Sequence, residues 1–174
     1  MAVPSAPPPD DDAPAVEQTI DVGTWNRFTQ SLAAAIQPPG SAADAGTVTV
    51  SLEAPAPIVS ADAELWERTG RGPMRLLRRK RRLFPSPQAP TVTLAARPDQ
   101  VVLTAPTRDD AGRVLLHDAA TTALAALGWE RRDDVMVRRL TDADAAAALA
   151  TRILIEVFDV AHPADLSVHG VGVS

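Results

Sequence analysis

The chain has 174 residues, a formal net charge of −5 and 45% hydrophobic residues, which suits one domain with a core. Much of that apolar fraction is alanine, tyrosine is absent, and Trp25, Phe28, Trp66, Phe84, Trp129 and Phe158 are the only Trp and Phe residues, so a few large side chains must fill the interior. Cysteine is absent, which excludes disulfides, thiol catalysis and thiolate metal sites; the three histidines, His117, His162 and His169, stand at no helical ligand spacing, so no metal or other cofactor is expected.

Residues 1–17 are rich in Pro, Ala and Asp and read as a disordered tail. Residues 1–16 hold no Lys or Arg and no apolar core, so no signal peptide is read there, and the cytoplasm is the expected compartment. No stretch approaches the roughly 18 continuous apolar residues of a membrane span. Residues 18–170 read as a single domain, with an irregular basic insert at about 61–90.

Within that domain, Asp21 or Thr24 can cap a first helix. Its stripe is Trp25, Phe28, Leu32 and Ile36, and Pro38-Pro39-Gly40 stops it. Thr47 to Leu52 alternates polar and apolar residues, the pattern of a half-buried strand. Pro55 and Pro57 reduce Ile58-Val59 to a short edge strand at best. Met74 to Phe84 has the composition of a short helix, closed by Pro85, Pro87 and Pro90.

Two more strands, Thr91–Ala96 and Gln100–Thr104, flank a tight turn at Arg97-Pro98-Asp99. Asp109 or Asp110 can cap a helix running to Leu127, with Leu116, Ala120, Ala123, Leu124 and Leu127 on its face. Gly128 falls where a left-handed residue ends that helix, and Schellman geometry folds Trp129 back onto Leu124. A short strand follows at Val135–Val137, and Thr141-x-x-Asp144 fits a capping box. The last helix, about 142–159, packs Ala146, Leu149, Ala150, Ile153, Val157 and Val160, with Leu154 and Phe158 widening the face. Ile155 points the other way, and His162-Pro163 ends the helix. The order gives an α+β architecture, an antiparallel sheet packed by helices.

Charge is unevenly spread. From Arg68 to Arg82 there are eight basic residues, Arg68, Arg71, Arg75, Arg78, Arg79, Lys80, Arg81 and Arg82, and no acid, which leaves a net of −13 elsewhere. Such a run is a solvated linker, a nucleic-acid contact, or a site for an anionic membrane or acidic partner, with Met74, Leu76, Leu77, Leu83 and Phe84 interleaved. No Gly-x-Ser-x-Gly elbow, Gly-x-x-x-x-Gly-Lys loop or Gly-x-Gly-x-x-Gly fingerprint occurs, and cap or turn roles suffice for Asp109-Asp110 and Asp133-Asp134. No catalysis is expected.

Three features carry a resemblance: Trp25-x-x-Phe28-x-x-x-Leu32, the Leu127-Gly128-Trp129 corner, and a closing helix through Thr151–Phe158 into His162-Pro163-Ala-Asp-Leu166. In order and spacing, over roughly residues 22–53 and 91–166, the chain resembles the bacterial YbjN and type III secretion chaperone-like families, including the TY-Chap peptide-binding chaperones. The basic insert lies outside that pattern. The resemblance implies an α-β-β-β-α-β-β-α fold, often dimeric and not enzymatic, that holds a client polypeptide extended against apolar patches on sheet and helices. The expected client or dimer contacts are Leu154, Ile155, Phe158 and Trp129, although the capping geometry by itself accounts for Trp129 as the core staple of its helix, the favoured reading of that residue. A homodimer is the economical way to cover Ile155, and a peptide groove is the second.

Overall fold

The stripe from Trp25 to Ile36 forms the first helix, α1 (Trp25–Ile36), in a computed structural model that describes residues 20–37, 46–56 and 86–173, the last three by backbone alone. The Thr24 side chain accepts a hydrogen bond from the Arg27 amide at 3.4 Å, satisfying one of the orphan donors of the first turn. Phe28, Leu32 and Ile36 are fully buried, and Trp25 meets Phe28 edge to face with ring centroids 5.6 Å apart. The expected tail, the Ile58-Val59 strand, the Met74–Phe84 helix and the basic residues 68–82 lie outside the described residues.

The remaining elements are β1 (Val48–Glu53), β2 (Thr91–Arg97), β3 (Gln100–Pro106), α2 (Asp118–Ala126), β4 (Glu130–Arg132), β5 (Val135–Leu140), α3 (Ala143–Glu156) and β6 (Ser167–Val173). A 3-10 turn at Pro163–Asp165 leads into β6. The sheet order is β4-β5-β3-β2-β1-β6, and every neighbouring pair is antiparallel. The α-β-β-β-α-β-β-α order is therefore present, with β6 added at the end. The class is α+β.

Alternation along the strands decides the layers. Val48, Val50 and Leu52 of β1, Val92, Leu94 and Ala96 of β2, and Val101, Leu103 and Ala105 of β3 point to one face and are buried. Helices α1 and α3 pack on that face and on each other, joined by a 2.8 Å hydrogen bond between the Thr29 and Thr151 hydroxyls. Each large aliphatic side chain buried there contributes roughly 1.5–3 kcal/mol, so the covered face holds most of the stability.

Five local outcomes differ from the sequence reading, the first being that α3 ends at Glu156, ahead of Asp159 at φ 55°, and not at His162-Pro163. Helix α2 starts at Asp118, because Asp109 is drawn into a loop instead of capping a helix. Asp142 caps α3 with its own carboxylate, accepting from the Ala145 amide at 2.8 Å, in place of a Thr141 capping box. The strand at Val135 extends to Leu140 and forms a hairpin with β4, turned by Asp133 at φ 51°. Strand β6 pairs with β1 across a bulge, where Thr49 faces Gly172 and Ser51 faces His169; Gly170, at φ 69°, takes up the extra residue.

The Schellman ending of α2 forms as the Gly128-Trp129 pattern requires. The Trp129 amide donates to the Leu124 carbonyl at 3.1 Å and the Gly128 amide to Ala125 at 2.9 Å, with Gly128 at φ 81°. The Arg138 guanidinium donates to the Gly128 carbonyl at 2.7 Å, so a Cβ at Gly128 would lie 2.8 Å from Arg138 Nη1.

Candidate functional site

The residues between the core positions build the second face of the sheet. Thr49 and Ser51 of β1, Thr91, Thr93 and Ala95 of β2, Val102 and Thr104 of β3, and Val137 of β5 are all half-buried. Both long helices, α1 and α3, pack on the opposite face. The registers place His169, Ser51, Thr93, Thr104, Val137 and Glu130 in one row across all six strands. Ser51 and Thr93 share a 3.1 Å hydrogen bond within that row.

A second row runs through Thr49, Ala95, Val102 and Arg139. Between their ends the two rows make a floor of small, mostly β-branched, uncharged residues, and the charged Glu130 and Arg139 stand at its border. Hydroxyls both donate and accept, so this floor can meet backbone or side-chain polar groups of either kind. Ser51 spends its hydroxyl on Thr93, while His169, its register partner on β6, reaches Glu53 instead. No floor residue stands out in the sequence by itself, although the alternation of Thr47–Leu52 and Thr91–Ala96 marks one polar face.

The four expected contact residues separate. Leu154 is fully buried and Trp129 is 4% exposed, both within the core cluster, while Phe158 is half-buried against it. Ile155 is 40% exposed, the one exposed large apolar side chain among the described residues. It stands on α3 beside the exposed Arg152–Glu156 ion pair at 2.8 Å. The basic residues Arg71, Arg75, Arg78, Arg79, Lys80, Arg81 and Arg82 lie outside the described residues. His169 reaches Glu53 across β6 and β1 at 3.6 Å, on the surface.

The strongest electrostatic feature lies elsewhere, in the loop after β3. The Asp109 side chain has no exposed surface and accepts from Ser86 Oγ at 2.7 Å, the Arg113 amide at 2.8 Å and Arg113 Nε at 2.6 Å. Burial works to raise its pKa, but the Ser86 bond, the two Arg113 bonds and the Arg113 charge outweigh it and hold the carboxyl at about 2. The Ser86 amide also donates to the Val114 carbonyl, so this carboxylate ties the approach to β2 onto the 107–116 loop. Its bonding capacity is used structurally. No group of three or more metal-ligating side chains gathers among the described residues.

The model of a family described as T3SS (YopN, CesT) and YbjN peptide-binding chaperone 3 matches residues 16–172. No curated protein and no solved structure is matched. No described helix is long and apolar enough to cross a membrane.

Proposed function

The chain belongs to the TY-Chap3 family of peptide-binding chaperones, and from that premise we propose that it is a non-catalytic domain holding a segment of client polypeptide, in extended form, on the open face of the sheet. One observation supports this reading above the others. Two helices pack over one face of the sheet and bury the inward residues of β1, β2 and β3, whereas the other face of those strands is left half-exposed. An extended peptide laid on that face would cover Val102 and Val137 and find hydroxyl partners at Ser51, Thr93 and Thr104. A floor that both donates and accepts is indifferent to much of the client's sequence, which suits a holding function.

Ile155, with Phe158 one turn on, is the proposed contact for a second copy of the chain. A large aliphatic side chain 40% exposed on a helix gains by being covered.

Site-specific photo-crosslinking in the native cell tests the client surface. A photoreactive residue at Thr104, on the open face, is expected to capture polypeptide, and one at Thr122, exposed on α2, is not. Capture at Thr122 with none at Thr104 would sink the reading.

A further inference from the structure

Ion pairing among the described arginines singles out two of them. Arg27 pairs with Asp21, Arg108 and Arg131 with Asp134, Arg113 with Asp109, Arg132 with Glu130 and Arg152 with Glu156. Arg138 has no carboxylate partner but is taken up by the Gly128 carbonyl. Arg97 and Arg139 remain, exposed and without a carboxylate or hydrogen-bond partner among the described residues. Asp99, in the turn beside Arg97, pairs with neither.

These two share a face and an end of the sheet. Ala95, Val102 and Arg139 stand in one row, and Arg97 follows Ala95 by two positions on the same strand, so both arginines border the open floor. They flank it where the β2–β3 turn closes, while Glu53 lies at the opposite end of β1. They are two strands apart, roughly 10 Å across the sheet, with only neutral β3 residues, Gln100 and Val102, between them. A neutral polar floor bounded at one end by two unpaired guanidinium groups has a definite chemical complement.

We propose that the segment held on this face is acidic: Asp or Glu side chains of the client sit at the β2–β3 end of the floor, on Arg97 and Arg139. The inference rests on the open face being the client surface and adds the class of client. Separate guanidinium groups on two strands match carboxylates spread along an extended chain, each able to form a forked, charge-assisted pair. Both arginines are exposed, so the effect is one of selection and is screened by salt.

The test is an array of 12-residue peptides of random sequence with both ends blocked, so that every carboxylate belongs to a side chain, probed with the labelled full-length chain. The bound peptides are expected to be enriched in Asp and Glu. Substituting Arg97→Gln together with Arg139→Gln removes that enrichment and weakens the acidic peptides by about threefold to tenfold, while neutral peptides stay bound. Enrichment that is absent, or that survives the double substitution, overturns the inference and leaves the open-face reading standing. If no peptide of any composition is bound, both fall. The chain carries its own acidic run at Asp10, Asp11 and Asp12. If changing these three to Asn raises affinity for acidic peptides in the parent chain but not in the Arg97→Gln, Arg139→Gln chain, the arginines serve that run, and the client assignment is overturned.

Discussion

The two faces of the sheet are made by alternate residues of the same strands, yet they obey different rules. In β2, Val92, Leu94 and Ala96 are fully buried, while Thr91, Thr93 and Ala95 between them remain half-exposed. A covered position is constrained by volume, because its neighbours cannot close around a missing group. An open position is constrained by little beyond the pleat, so its composition is free to be set by what it binds. Exposure on the second face is consistent with a surface kept for a ligand, and the first face supplies the rigidity that such a surface needs.

Adjacent substitutions give the sharpest contrast. Leu94→Ala is expected to cost about 2–5 kcal/mol, read as a lowered urea midpoint, because it empties a position under both long helices. A loss below about 1 kcal/mol would mean that the covered face is not the stabilising one. Gly128→Ala comes next, at about 1–2 kcal/mol for a Cβ held at φ 81°, with crowding of Arg138 added. It tests whether the corner beside β5 is as constrained as the centre, and Arg138→Ala in the same background should recover the part due to crowding.

The Asp109 loop belongs to neither face and is expected to respond to acid. Its carboxyl titrates at about 2 in the folded chain, below the roughly 3.9 of an unfolded aspartate, so its contribution is complete above that higher value. It is lost as pH falls through about 2. Asp109→Asn should therefore flatten the stability profile between about pH 4 and pH 2 relative to the parent chain, measured by circular dichroism melts across that window. The smallest effect belongs to the open face: Thr93→Ala, one residue from Leu94, should cost about 1 kcal/mol or less, the share of a half-buried strand position and its bond to Ser51. A large loss there would erase the distinction between the faces.

How far these features can be read in advance depends on how local their causes are. The α1 stripe, the β2–β3 turn and the Gly128 ending are each set by neighbours within a few positions, and all three form as the residues dictate. The start of α2 does not, because Asp109 takes partners from Arg113 and from Ser86, and the second lies 23 residues away. Strand β6 is hidden by Gly170 and Gly172, which break the alternation to accommodate a bulge against β1. The floor residues are legible as the polar half of an alternating pattern. That Arg97 and Arg139 border one floor depends on strand order, which no local pattern carries.

The position of β6 bears on how the chain is made. Strand β1 is the first of the six to be synthesised and β6 the last, yet they are neighbours in the sheet. Until β6 emerges from the ribosome, one edge of β1 stays unpaired, an open template for another nascent strand. Closing that pair spans nearly the whole domain, so it is expected to be a late and slow event, and the sheet to assemble from its β2–β3 hairpin outward. A client chaperone of this shape would itself pass through a stage of exposed edges during translation, when it is most in need of protection.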